Sequence, residues 1–245
     1  MIATGTHTMS AGFEQHYIAL RKKEGRLYTD EEVLHLPGIR KDHPHFAEWQ
    51  LRKESWNRLK QYFEKRVGLF KILEVGCGNG WLSHRLASIH GYDITATDIN
   101  LAELQQAKKV FHQLPYLQFI YGGIESGQIE EEGYDFIVFA ASIQYFSSLN
   151  EMITRAFRKL KTNGEIHILD SHFYNVTEIA AAKKSTRDYY TDLGFPAMSR
   201  YYFHHTMDEL TPFRYKIMYR PGFINHHLLN NKNPFPWLCI KKSEA

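Results

Sequence analysis

Residues 71–83 read KILEVGCGNGWLS. An apolar run closes on an acid, Glu74, and three glycines, Gly76, Gly78 and Gly80, then alternate with other residues. Glycines at that density mark a backbone that bends where other residues resist bending, or that something approaches closely. Working outward, 69–75 reads as a buried strand and 81–90 as a helix with Leu82, Leu86 and Ile89 inward, closed by Gly91. The glycines therefore form the turn from a strand into a helix.

The same alternation continues. Segments 93–99, 116–122, 134–141 and 164–171 read as strands, and 101–114 and 152–161 as helices between them. Pro115 is expected to stop the first helix, and Asn163-Gly164 the second, which Ser148 and Glu151 open at capping-box spacing. Strands separated by helices need crossover connections. The fold expected is α/β, doubly wound, with a mostly parallel seven-stranded sheet, helices on both faces and an N-terminal helical extension. Residues 1–68 form that extension or lid, and 69–245 the main domain, with a substrate-side segment at 172–245. In the extension, the polar start is expected to fray. Thr29 and Glu32 cap a short helix, and Phe46, Trp49, Trp56, Leu59 and Phe63 mark one buried stripe on a longer one. The last segment holds a helix over 177–194 and strand candidates at 215–219 and 236–242, which can complete the sheet edge.

Composition narrows the function classes. The chain has 245 residues, 43% hydrophobic and 23% charged, an ordinary soluble balance. A formal net charge of +3 does not demand a nucleic-acid partner and does not forbid one. Two cysteines, Cys77 and Cys239, supply neither a disulfide framework nor a four-thiol zinc site. A cytoplasmic setting is expected, with no secretory signal and no membrane span. Of 14 histidines none stands in an HExxH pattern, so no metal is expected.

Open parallel sheets bind ligands beyond the C-terminal ends of their strands, where this loop stands. A P-loop needs Gly-Lys-Ser/Thr at its end, and Trp81 follows Gly80 instead. A dinucleotide fingerprint counted from Gly76 puts Trp81 at its third glycine, which spoils close helix–strand packing. Asp98 ends the second strand about twenty residues on, placed to accept hydrogen bonds from ribose hydroxyls. That spacing supports a nucleoside cofactor without choosing among them.

The pattern acid-x-Gly-x-Gly-x-Gly at Glu74, Gly76, Gly78 and Gly80 resembles motif I of the class I S-adenosylmethionine-dependent methyltransferases, over roughly residues 69–171. The resemblance implies S-adenosyl-L-methionine as cofactor and S-adenosyl-L-homocysteine as product. It implies that the loop Gly76-Cys77-Gly78-Asn79-Gly80 wraps the methionine and ribose, with Glu74 near the ammonium. It places Ile99 on the adenine, Gly123 and Ile124 as a third anchor with Glu125 in a polar role, and the small Ala140 and Ala141 beside the cofactor. Methyl transfer relies on in-line positioning, and a base is needed only when the acceptor loses a proton. His204, His205 and Tyr145 are the catalytic candidates. Tyr17, Tyr28, His43, His45, Tyr201 and Tyr202 are candidates for the acceptor pocket.

AASIQYF after the fourth strand lacks the proline motif of DNA amino-methylating enzymes and the cysteine of cytosine C5 enzymes. A small-molecule acceptor is expected. The alternative is an RNA methyltransferase, or a non-catalytic cofactor- or RNA-binding protein, motivated by the basic face of Arg52, Lys53, Arg58 and Lys60. A homodimer through an edge strand or the N-terminal helices is a further expectation.

Overall fold

The computed structural model describes residues 11–222 and 233–242. The polar start, expected to fray, lies largely outside them. Seven strands form one sheet in the order β3-β2-β1-β4-β5-β7-β6. They are β1 (Phe70–Val75), β2 (Tyr92–Asp98), β3 (Leu117–Tyr121), β4 (Tyr134–Ala140), β5 (Leu160–Leu169), β6 (Tyr215–Tyr219) and β7 (Trp237–Lys241). The first five pair in parallel; β7 runs antiparallel to both β5 and β6. The chain order reverses between β1 and β4, so their C-terminal ends flank the crevice where such sheets take ligands.

Alternation along the strands explains why both faces are covered. Ile72, Phe136 and Val138 join one core, while Leu73, Ile137 and Phe139 join the other. Each fully buried aliphatic side chain contributes about 1.5–3 kcal/mol relative to exposure. On the first face lie α2 (Asp30–His35), α3 (Phe46–Glu64) and α4 (Trp81–Ala87), through Val33, Trp49, Leu59, Phe63 and Leu86. On the second lies α6 (Leu149–Lys159), through Met152, Ile153 and Ala156. Two more helices, α1 (Ala11–Lys23) and α7 (Ile179–Asp192), meet in a separate small core around Phe13, Leu20, Tyr190 and Met198. Between them, α5 (Leu101–Val110) follows β2.

The Thr29–Glu32 capping box forms as the spacing predicts. Three boundaries differ. α5 ends at Val110 and not at 114, because Phe111 turns inward to pack and leaves helical geometry. α4 ends at Ala87, short of Gly91. β5 begins at Leu160, so the strand absorbs Asn163 at φ +64° where a helix end was expected. Leu160 is fully buried beside the sheet, and that burial outweighs the local turn preference of Asn-Gly. No described helix is long and apolar enough to cross a membrane.

The basic face of α3 is largely neutralised by its own acids. Arg52 pairs with Glu48 at 3.0 Å, Arg58 with Glu54 at 3.2 Å and Lys60 with Glu64 at 3.5 Å. Arg58 also lies 3.8 Å over the Tyr219 ring. Such a face offers a phosphate backbone little uncompensated charge.

Candidate functional site

A cavity of about 680 Å³ opens at the C-terminal ends of β1, β2, β3 and β4. That volume suits a nucleoside-sized ligand together with a second group. Gly76 and Gly78 line it, and at Gly76 and Gly80 a glycine is required by the protein's own packing. Gly76 holds φ +77°, and a Cβ there would lie 2.5 Å from the Ser142 Cβ. Gly80 holds φ +73°, and a Cβ there would lie 2.7 Å from the Phe119 ring and 2.9 Å from Ala107. The tight turn thus lets α4 start close against the sheet, with backbone groups left facing the cavity.

The loop is pinned to β2. Gly76 N–H and Cys77 N–H both donate to the Thr97 carbonyl, at 2.8 and 3.1 Å. Gly78 N–H donates to one oxygen of Asp98 at 2.7 Å, and Asn100 N–H donates to the other at 2.7 Å. Each carboxylate oxygen can accept more than one hydrogen bond, so Asp98 retains capacity toward the cavity it lines. Asn100 in turn caps α5 by accepting from Glu103 N–H.

Acid gathers around this turn. Burial raises Glu74 to about 8 against the lowering hydrogen bond from Ser83, and the Asp98 charge adds to the rise. Burial pushes Asp98 up against backbone N–H groups that lower it. Burial and Asp98 bring Glu103 to about 7, although Arg21 and Arg52 pull it down. Among the described residues none of the three forms a salt bridge with a lysine or arginine. Burial favours the neutral form of Glu74 and Glu103 near neutral pH, and Asp98, which lines the cavity, is the carboxylate placed to accept from a cationic or hydroxyl-bearing ligand. S-adenosylmethionine, whose sulfonium and ammonium are cationic, fits that field.

The predicted positions separate. Gly76, Gly78, Asp98, Ile99, Gly123, Ile124, Ala141 and Tyr145 line the cavity, as do Glu125, Tyr17 and Tyr201. Glu74 does not: its carboxyl turns into the α4 side of the sheet and accepts from the Ser83 hydroxyl. Cys77 is buried beside Ala96 and Leu104, and burial raises its thiol well above the usual range. Asn79, Gly80 and Ala140 also stand outside the lining. Tyr28 is held by Trp49, whose Nε1–H donates to the phenol at 2.8 Å, and its ring lies tilted against His43, centres 5.6 Å apart. His45 contacts the Glu24 carbonyl at 2.8 Å. These three brace the extension away from the cavity.

The histidine candidates are also placed elsewhere. His205 is buried between the Glu209 carboxylate at 3.3 Å and the Ile143 carbonyl at 3.2 Å. His204 lies 2.9 Å from the Thr186 hydroxyl, with its ring near Tyr174 and Tyr202. His204 ties the 172–206 segment together, His205 fastens it to the loop after β4, and neither lines the cavity. Tyr202 stands behind Tyr145, ring centres 6.1 Å apart.

The second half of the cavity comes from segments that local spacing does not connect. Phe13 and Tyr17 descend from α1, and Tyr145 meets them at 6.2 and 5.8 Å between ring centres. Tyr201 meets Phe13 at 5.0 Å. Glu14 accepts a hydrogen bond from Leu101 N–H at 2.6 Å, one of the unsatisfied donors in the first turn of α5. α1 is thereby fastened across the site. Phe203 N–H donates to the Gln144 carbonyl at 2.7 Å, which fixes the 196–206 segment against the loop after β4. Phe13, Asn100, Met152, Arg155, Arg200 and Phe203 escaped the sequence reading. The α1 register of Phe13, Tyr17 and Leu20 was the one available signal.

A second buried cluster, Glu165, His167 and Cys239, has ligand atoms close enough for a metal. Its protonation argues otherwise. Trp237 Nε1–H donates to His167 Nδ1 at 3.1 Å, so the ring proton stands on Nε2, facing Glu165. Burial raises the Cys239 thiol to about 12. Glu165 is already held by Tyr62, by Arg66 at 2.8 Å and by Lys241 at 3.1 Å. The cluster is an internal ion-pair network.

A family model described as a methyltransferase domain matches residues 72–164. The malonyl-(acyl-carrier protein) O-methyltransferase of Priestia megaterium is 36% identical over 107 residues, 43% of this chain and 38% of that protein. The mitochondrial ubiquinone biosynthesis O-methyltransferase of Schizosaccharomyces pombe is 28% identical over 100 residues, 39% of this chain and 36% of that protein. The chain thus spans well under half the length of these curated relatives. Among solved structures, a geranyl diphosphate C-methyltransferase from Streptomyces coelicolor A3(2) superposes with a TM-score of 0.62 at 10% identity, covering 98% of this chain and 100% of that one. The YcgJ protein from Bacillus subtilis gives 0.61 at 13% identity, covering 79% and 100%. At such identities the structures share the fold.

Proposed function

Residues 72–164 form a class I S-adenosylmethionine-dependent methyltransferase domain, and from that premise we propose that this chain methylates a small-molecule acceptor held in the aromatic half of the cavity. The observation that carries the reading is Asp98. Its carboxylate stands at the end of β2, fixed by two backbone N–H groups, and faces a cavity whose loop was built from the glycine pattern.

The bound cofactor supplies an electrophilic methyl group on a sulfonium. The chain's own residues do the rest. Asp98 accepts hydrogen bonds from ribose hydroxyls, and Gly76 and Gly78 present backbone toward the nucleoside. Ile99 and Ile124 offer apolar faces for the base. Phe13, Tyr17, Tyr145 and Tyr201 exclude water from the acceptor and hold it in line, where positioning provides much of the acceleration. Tyr17 stays protonated, since burial pushes its phenol well up. Tyr145 is the one catalytic candidate from the sequence that reaches the cavity, and it serves as a positioning hydroxyl there. The relatives' names, malonyl-(acyl-carrier protein) O-methyltransferase and ubiquinone biosynthesis O-methyltransferase, mention no nucleic acid and support this reading over RNA.

Thermal stabilisation by S-adenosylmethionine, S-adenosylhomocysteine and NADH, measured in parallel, tests the reading. Ligands that bind the native state raise the melting temperature by mass action. A shift with the two sulfur nucleosides alone is expected. A shift with NADH alone overturns the assignment.

A further inference from the structure

The charged groups that line the cavity are Asp98, Glu125, Glu151, Arg155 and Arg200. Asp98 is held by backbone N–H groups. Arg155 pairs with both Glu125, at 3.4 Å, and Glu151. Arg158 adds a second contact to Glu125 at 3.7 Å. Arg200 alone among these lining charges has no ion pair or hydrogen bond with any described residue. It is exposed, in the 3₁₀ turn Pro196–Tyr201, and the next ring, Tyr201, is locked against Phe13 at 5.0 Å.

An unpaired guanidinium at a surface is ordinary; its surroundings here are not. Beyond it lie Tyr201, Phe203, Phe13 and Tyr145, an apolar and aromatic wall. The loop side of the cavity carries Asp98 and the opposite wall Arg200, so one cavity presents opposite signs on its two sides. A cationic acceptor finds no free carboxylate beside Arg200 among the described residues and would be repelled by the guanidinium. A neutral acceptor leaves the guanidinium unused. An anion finds a planar fork of donors suited to carboxylate or phosphate, with its head still in water and able to steer approach.

We propose that Arg200 anchors the anionic group, carboxylate or phosphate, of an acceptor whose body is apolar and packs on the Phe13–Tyr145–Tyr201 wall. This inference rests on the methyltransferase reading for its biological meaning, while anion binding at Arg200 is measurable without it. The anion is the handle, and the methylated atom lies on the part that reaches the tyrosines.

The test uses four probes of one chain length: decanoate, decyl phosphate, decan-1-ol and decylamine. Dissociation constants are measured calorimetrically on the full chain below the probes' micelle concentrations, with and without S-adenosylhomocysteine. At least one anion is expected to bind about tenfold tighter than the alcohol and the amine, and the preferred anion separates a carboxylate handle from a phosphate one. Arg200→Ala should weaken the anions about tenfold and leave the affinity for S-adenosylhomocysteine unchanged. Arg200→Lys should recover part of the loss, and Arg200→Glu should reverse the preference toward decylamine. Equal binding of all four probes by the native chain overturns the proposal, as does unaltered anion affinity in Arg200→Ala. Failure of S-adenosylhomocysteine to bind while the anion preference and its Arg200 dependence persist would overturn the cofactor assignment and leave the anion site standing.

Discussion

The two halves of the cavity are built by different means. The loop half is backbone: consecutive turns after β1, β2 and β3, held by N–H groups that donate to Thr97 and Asp98. The aromatic half is side chain: Phe13 and Tyr17 from α1, Tyr145 from the β4 exit and Tyr201 from beyond α7, brought together only by the tertiary fold. The first is rigid because its register is fixed by the sheet. The second is as stable as the docking of α1, which rests on one small core and on hydrogen bonds such as Glu14 to Leu101 N–H. A perturbation to the packing of the glycine turn should therefore destabilise the whole domain, and one to the aromatic half should release a helix.

The largest effect is expected at the glycine turn. Gly80→Val forces a branched side chain into Phe119 and Ala107 at a left-handed φ, and a loss of about 3 kcal/mol or more is expected by urea denaturation. Near-native stability in that variant would mean that α4 can back away from the sheet. Phe13→Ala is the counterpart. It should raise hydrogen exchange across residues 11–23 and raise the acceptor KM severalfold, while lowering global stability by no more than about 1–2 kcal/mol, since α1 can open without the sheet. Equal loss in both halves would erase the contrast.

A smaller effect is expected from pH. Glu74 has an ordinary value of 4.5 and stands near 8 in the folded chain, so between those values the native state binds more protons than the unfolded state. Stability of the ligand-free chain should then fall as pH rises from about 5 to 8, with Glu103, near 7, contributing in the same direction. Glu74→Gln removes one ionisation while keeping a partner for Ser83, and its stability curve should be flatter over that range. A curve parallel to the native one would show that Glu74 is not the source.

The same contrast explains what the sequence disclosed. The succession of strands and helices along the chain, the glycine turn and the acid at position 98 were legible because each is a local pattern: apolar runs of strand length, glycines where φ is positive, an acid at a strand end. Glu74 belongs to that pattern too, yet its alternation along β1 aims it at Ser83 and away from the cavity. The aromatic half was legible only in part. Tyr17, Tyr145 and Tyr201 stood out as residue types, but nothing local said that α1 would fold across the site. His204 and His205 stood out for the opposite reason. Paired histidines look chemical, and here one satisfies a buried carbonyl and a carboxylate while the other joins α7 to the 202–206 segment. Arg200 carries no motif; what marks it is the lack of a counter-ion among the described residues, in a cavity where Arg155 has two.

The central claim is that Asp98 and the glycine turn form the nucleoside seat. Calorimetric titration of S-adenosylhomocysteine into the native chain and into Asp98→Ala tests it most directly, with circular dichroism to show that both are folded. Two hydrogen bonds to a charged group are worth about 1.5–3 kcal/mol each, so the account predicts a loss of at least about 100-fold in affinity. A folded Asp98→Ala variant that binds as tightly as the native chain would contradict it.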